Sequence, residues 1–291
     1  MTLTERFGCI DIGSNTTRLL VADRTDRRLT WVHQERAFTR IGQTLLAEGR
    51  LGPTKVKEVV AVVCSQLESA RSHGVGDIRL VATAAIRRAD NGEELVDAVR
   101  RATGHQVEVL SDQEEARLAF VGVAGTLDQW PAGRLGVVDV GGGSSELVVG
   151  ERPDRIHWWA SLPLGSAALS HPAACADPPT ADDLDRSRAR IAAEIESLDV
   201  PQPVTAVAAG GSATSLGRLV GPVLDASTLQ RALGFLSVSP AADVATRFGI
   251  DPERARLLPA GLLIMEAAVT AFGVPLHVGR GGIREGVLLE A

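Results

Sequence analysis

Two stretches of this chain share one plan: CIDIGSNTTRLLVA at residues 9–22 and VVDVGGGSSELVVG at residues 137–150. Each is a short apolar strand closing on an aspartate (Asp11, Asp139), then a turn of small residues, then a second apolar strand. Gly and Ser in such a turn let backbone amides approach an anion closely, and successive N–H groups form a phosphate-sized concavity. One such turn says little. A second copy at the same point of a strand–turn–strand predicts two related halves and a phosphate gripped from both sides.

A chain of 291 residues can supply both halves with their own cores. Its net charge of −6 argues against a general nucleic-acid binder while leaving room for a local basic pocket. Lys55 and Lys57 are the only lysines; the other basic residues are arginine, whose planar fork binds phosphate in a bidentate manner. Cys9, Cys64 and Cys175 have no metal-ligand spacing and read as reduced thiols of a cytoplasmic protein. Glu5, Arg6 and Asp11 interrupt any apolar run at the start, so no signal-peptide pattern is expected. The apolar stretch Leu257–Gly273, broken by Pro259 and Glu266, reads as too short for a bilayer, and no membrane partner is expected.

Strands and helices alternate, which predicts a mixed α/β layer in each half. After the first β-turn-β, a third strand is expected around Leu29–Arg36. Val56, Val59, Val60, Val63, Leu67 and Ala70 recur at helical spacing, with Gly74 as the expected stop. A strand at Ile78–Thr83, a helix at Gly92–Thr103, a strand at Val107–Leu110 and a helix from about Asp112 complete the half. Past a linker at Asp128–Gly133 the pattern restarts. Strands are expected at Trp158–Leu162 and Val204–Ala208, and helices from Thr180, after Gly210-Gly211-Ser212, over Pro252–Gly273, and at the C-terminus after a glycine-rich turn. Ala173–Ala181 reads as an irregular loop.

Four features bear on chemistry. Two Gly/Ser turns follow Asp11 and Asp139. A third, Gly210-Gly211-Ser212, opens a helix whose N-terminal dipole favours an anion. Glu114-Glu115 lies near the start of a helix, and Glu146 lies close enough in sequence to share a metal with Asp139. Each has a plainer reading. Glu115 fits the third position of a capping box begun by Asp112, the aspartates suit turn amides, and Arg87 and Arg88 suit a solvated surface. His33, His73, His105, His157, His171 and His277 lack HxH or HExxH spacing, so no histidine metal site is expected.

The chain resembles the exopolyphosphatase / guanosine pentaphosphate phosphatase (Ppx/GppA) family in its short two-domain form. The resemblance rests on IDIGSNTTRLLVA, VATAAIRRA, SDQEEARLAFVGV, VVDVGGGSSELVVG, LPLGSAAL, DPPT, VAAGGSATSL, ARLLPAGLLIMEA and GIREGVLLE, in that order. It implies an α/β fold of two ribonuclease H-like domains, as in the actin–Hsp70–sugar kinase superfamily, with a cleft between them. The domains would be 1–128 and 129–291, with the terminal helix at about 281–291 able to pack back on the first. The resemblance also implies Glu115 as the catalytic carboxylate and Asp139 and Glu146 as acids of a Mg²⁺ (or Mn²⁺) site. Gly13, Ser14 and Asn15, Gly141, Gly142, Gly143 and Ser144, and Gly210, Gly211 and Ser212 fall on phosphate-contacting loops, and Arg87 matches a substrate-facing arginine.

The implied reaction is exopolyphosphatase release of terminal orthophosphate from inorganic polyphosphate. Hydrolysis of pppGpp to ppGpp and non-catalytic sensing of either ligand are the alternatives, and guanosine penta- or tetraphosphate is then the partner. Nucleic acid is not an expected partner. Members of the family are often dimers, and the apolar faces here neither require nor exclude a homodimer. Three positions depart from the family: Asp112 stands where Gly is usual, Ala168 replaces a basic residue, and VGRGGIREG replaces a Ser-Asp-x-Gly segment.

Overall fold

The repeated strand–turn–strand motif builds the same half-sheet twice in this computed structural model, which describes residues 5–26, 28–153, 155–170 and 175–291. His171 and the start of the irregular loop, Ala173 and Ala174, lie outside the described residues. The chain forms two compact units: residues 1–126 with 281–291, and residues 127–280.

The first run of elements is β1 (Glu5–Ile12), β2 (Thr17–Thr25), β3 (Arg28–Ala37), α1 (Ile41–Glu48), α2 (Pro53–Ser72), β4 (Asp77–Ala82), α3 (Ala84–Arg88), α4 (Gly92–Thr103), β5 (Val107–Val109) and α5 (Asp112–Ala124). The second is β6 (Leu135–Val140), β7 (Ser145–Arg152), β8 (Arg155–Leu162), α6 (Ser166–Leu169), α7 (Ala181–Ile195), β9 (Thr205–Ala209), α8 (Gly210–Val220), β10 (Val223–Leu224), α9 (Ala226–Leu236), α10 (Ala241–Phe248), α11 (Pro252–Phe272) and β11 (Leu276–Val278). The chain closes with α12 (Ile283–Glu290), which belongs to the first unit, so the expected 129–291 domain gives up residues 281–291.

The strand orders are β3-β2-β1-β4-β5 and β10-β11-β9-β6-β7-β8. In both, an antiparallel three-strand meander is followed by parallel strands on the far side of its first strand. This is the ribonuclease H-like arrangement that the resemblance implies, and the short β10 is an added edge. The central strands β1 and β2 are covered on both faces, which is why they read as continuous apolar runs rather than alternating ones, while the edge strand β3 is largely exposed. Ile10, Ile12, Leu19 and Val21 pack with Val59, Val63 and Leu67 of α2 and with Leu95 and Val99 of α4. Cys9, Leu20, Ala22 and Val81 face the other way, onto Leu118 of α5 and Val287 and Leu288 of α12.

In the second unit Val138, Val140, Leu147 and Val149 pack with Leu262, Leu263, Met265 and Phe272 of α11. That helix corrects the reading of Leu257–Gly273 as short and broken. It runs unbroken from Pro252 to Phe272 with Pro259 inside it, long and apolar enough to cross a membrane by length and composition alone. Its apolar residues are instead the core of the second unit, where Leu258, Leu262, Ile264 and Met265 are buried.

α12 crosses α5 through glycines. A Cβ on Gly122 would lie 1.9 Å from the Gly282 carbonyl oxygen, and one on Gly286 would lie 2.2 Å from the Leu118 carbonyl oxygen. Arg117 of α5 adds two bonds of 2.6 Å to the Glu290 carboxylate. Gly122→Ala forces the helices apart, and overpacking of this kind costs about 3 kcal/mol or more where backbone is the obstacle. A lowered thermal midpoint, with earlier proteolytic loss of the C-terminal segment, is the expected outcome.

Candidate active site

In the first unit the site begins with the hairpin register. Asp11 is paired with Arg18 across β1 and β2, and the turn between them closes with the Gly13 N–H donating to the Thr16 carbonyl at 3.0 Å. A Cβ on Gly13 would come within 2.9 Å of that same carbonyl, so the turn favours glycine. The start of α1 holds the loop from outside: the Gly42 N–H donates to the Ser14 carbonyl at 2.7 Å, and the Arg40 N–H to the Asn15 carbonyl at 3.0 Å. Ser14 is buried. The Asp11 Oδ1 atom is buried with no hydrogen-bond partner. Burial pushes its carboxyl above the ordinary range, and the charges of Arg18 and Arg284 pull against that rise while Glu285 adds to it.

α5 brings the acidic pair to the site, and its cap sets the phase. Ser111, not Asp112, is the N-cap, with its Oγ accepting from the Glu114 N–H at 3.2 Å. This corrects the capping reading of Glu115: the third position of the helix is Glu114. Glu114 accepts both arms of Arg117, at 2.8 and 2.7 Å, which holds its carboxyl below the usual range. Glu115, one residue on, turns inward and is 1% exposed.

Arg87, expected as surface in the plainer reading, is the partner of Glu115. It sits on α3, where its N–H donates to the Thr83 carbonyl at 3.2 Å. Its Nη1 donates to the Leu110 carbonyl and to Glu115 Oε1, while Nη2 donates to Asp112 Oδ1. Arg88 is exposed. Burial pushes the Glu115 carboxyl up to about 7; Arg87 opposes the rise, and the charges of Asp11 and Asp112 add to it. A carboxylate at that point of the scale can exchange a proton near neutral pH.

The second unit repeats the hairpin with different chemistry. Gly141 N–H donates to the Ser144 carbonyl at 3.0 Å, matching the first turn bond for bond. Where the first hairpin pairs acid with base, here Asp139 is registered directly against Glu146. Opposed side chains on one sheet face stand about 5 Å apart at Cβ. Glu146 is 2% exposed and accepts from Ser161 Oγ at 3.1 Å. An acid pair offering only oxygen suits Mg²⁺, which commonly takes one or two carboxylates and completes its shell with water and substrate phosphate. Among the described residues no cluster of three or more His, Cys, Asp or Glu has metal-holding geometry.

Two further segments fix the second loop. Ser166 N–H donates to the Gly141 carbonyl at 2.9 Å, and the Ala167 N–H to the Gly142 carbonyl at 3.1 Å. Gly165 touches the loop so closely that a Cβ would lie 2.4 Å from Gly143 N. The Gly210-Gly211-Ser212 segment is the first turn of α8 rather than a separate turn. Gly210 has φ +84°, and a Cβ there would meet Asp139 Oδ1 at 2.5 Å. At Gly211 a Cβ would collide with the guanidinium of Arg254, 1.4 Å from Nη1. Ser212 is buried.

Within the first unit, then, the structure joins Arg87 to Glu115. Within the second it gathers Asp139, Glu146, the Gly141–Ser144 loop and the α8 N-terminus. Sequence reasoning missed Arg254, whose contact with Gly211 joins two distant helices and leaves no local pattern. It noticed Asp112 without finding its partner.

A model of the Ppx/GppA phosphatase family matches residues 20–291. The chain is 30% identical over 305 residues to Exopolyphosphatase 1 of Mycobacterium tuberculosis strain H37Rv, covering 98% of this chain and 88% of that protein. It is 26% identical over 297 residues to the guanosine-5'-triphosphate,3'-diphosphate pyrophosphatase of Aeromonas salmonicida, covering 97% of this chain and 58% of that protein. The crystal structure of the Aquifex aeolicus Ppx/GppA family member is similar with a TM-score of 0.83 at 30% identity, covering 99% of this chain and 97% of that one.

Glu115 holds its proton more tightly in the folded chain than at the ordinary carboxyl value of 4.5. Its contribution to folding is therefore fully present below about pH 4.5 and is lost as pH rises through about 7. Glu115→Gln is permanently neutral and escapes that loss. Its stability relative to wild type should improve between pH 5 and pH 8 by on the order of 1–3 kcal/mol. Urea unfolding of both proteins at the two pH values measures the difference; a constant offset would contradict the raised carboxyl.

Proposed function

Since the chain belongs to the Ppx/GppA phosphatase family, we propose that it is a phosphoanhydride hydrolase releasing terminal orthophosphate from inorganic polyphosphate. The observation that carries the reading is Glu115: buried, bonded to Arg87, and with its carboxyl pushed up to about 7. Polyphosphate is preferred over a guanosine polyphosphate because the relatives named exopolyphosphatase reach 30–31% identity over most of their own length. The relative named for the guanosine substrate is spanned over 58% of its length.

In this reading Glu115 takes a proton from a water whose oxygen attacks the terminal phosphorus, and the bond to the bridging oxygen breaks. The shortened polyphosphate leaves as an anion of low basicity, so no second acid is needed to protonate it. Arg87 and the Ser14 and Asn15 amides are the groups that the first unit offers to non-bridging oxygens, and the Gly142–Ser144 and Gly210–Ser212 amides are those of the second, the Gly13 and Gly141 N–H groups being spent on closing their turns. Asp139 and Glu146 would hold Mg²⁺ (or Mn²⁺), which when bound neutralises phosphate charge. Phosphoryl transfer asks little covalent help of a protein, so positioning and charge neutralisation supply most of the rate.

Phosphate release from polyphosphates of defined length, run beside pppGpp with and without Mg²⁺, tests the reading. Release from polyphosphate is the expected result. Release from pppGpp alone assigns the nucleotide reaction, and tight binding without turnover assigns a sensor. Glu115→Gln should lower kcat roughly 10²- to 10⁴-fold with KM little changed. An equal loss in affinity would make the residue a binding group instead.

A further inference from the structure

We propose that Asp112 is a built-in competitor for Arg87: its carboxylate occupies the guanidinium arm that a substrate phosphoryl oxygen must take. The inference rests on Arg87 being substrate-facing, as in the proposed function. Arg87 donates through Nη1 to the Leu110 carbonyl and Glu115, and through Nη2 to Asp112. Carboxylate and phosphate are bound by the same planar fork in the same way, so they compete for the N–H of Nη2 that Asp112 holds.

The three bonds are not equally easy to give up. The Glu115 side chain is 2% exposed and Arg87 is 20% exposed, whereas Asp112 is 45% exposed. Glu115 is buried, so leaving Arg87 would strand its carboxylate without its counter-charge, and the Leu110 carbonyl is backbone. Asp112 stands in the first turn of α5 beyond the Ser111 cap, where its side chain is already 45% exposed. It is the replaceable partner. When it leaves, Nη2 turns to the phosphoryl group while Nη1 keeps Glu115 and the backbone in place. The base and the phosphate-binding arm are thus held on one guanidinium. Asp112 sets how much of the binding energy is spent on displacing it.

Asp112→Asn removes the competing charge with almost no change of shape, and Asp112→Ser keeps a short polar side chain should the amide itself bond Arg87. Both should lower KM for polyphosphate roughly two- to five-fold, the scale of one half-exposed ion pair. Pyrophosphate binding, measured calorimetrically without turnover, should tighten by the same factor. In an Arg87→Gln background the gain should vanish, because the double-mutant cycle isolates the pair.

An unchanged or raised KM in both variants would overturn the proposal: Asp112 would then be an ordinary ion pair or an aid to positioning Arg87. A gain that survives in the Arg87→Gln background would overturn it as well. Failure of the function reading looks different. Wild type would then hydrolyse neither polyphosphate nor pppGpp, while tighter pyrophosphate binding by Asp112→Asn would still show the competition.

Discussion

A carboxyl group that is 2% exposed has to be neutral or paired, and the placement of Glu115 makes it able to be either. Burial alone would keep it protonated; the Arg87 guanidinium offsets enough of that cost to bring its titration to about 7. The pairing depends on the rest of the unit. Ser111 caps α5 and sets its phase, so that Glu114 goes to the surface with Arg117 and Glu115 goes inward. Arg117 also reaches Glu290, and the glycine crossing at Gly122 and Gly286 lets α12 lie against α5. A shift in that contact would move the carboxylate that faces Arg87.

The two hairpins show how one backbone plan carries two chemistries. Gly13 and Gly141 close their turns with the same bond length to the third residue on, and Gly42 of α1 and Ser166 of α6 hold both loops from outside. The residue opposite the aspartate changes sign of charge between them: Arg18 faces Asp11, and Glu146 faces Asp139. An acid against a base suits an anion, and two acids suit a cation. That cross-strand exchange accords with a proposed metal in the second unit, while the proposed base comes from α5 rather than from the hairpin.

Much of this was legible in the residues because it is periodic or glycine-punctuated. α4 begins and ends at Gly92 and Thr103 as the pattern says, and α2 carries the six apolar positions that announced it. Its stop differs slightly: His73 is the C-cap, and Gly74 follows with φ +76°. The helices α1, α3, α6, α9 and α10 were not anticipated; in α3 and α6, of five and four residues, the segment is too short to show a helical period. Partnership was the other blind spot. Arg87 and Arg88 look alike in sequence, and only the third dimension shows one bonded to a buried acid and the other exposed.

A protein of net charge −6 is an unpromising receptor for a polyanion until the range of the charge is considered. At physiological ionic strength the Debye length is about 8 Å, so distant surface acids contribute little at a loop where phosphate would bind. The nearby charges decide. Arg18 is registered against the first aspartate, Arg87 lies under the acidic helix, and Arg254 lies against the α8 N-terminus. The net charge therefore does not forbid the substrate class. At Arg87 it is the occupancy of the guanidinium, fixed by the carboxylates of Glu115 and Asp112 beside it, that sets how strongly phosphate can compete.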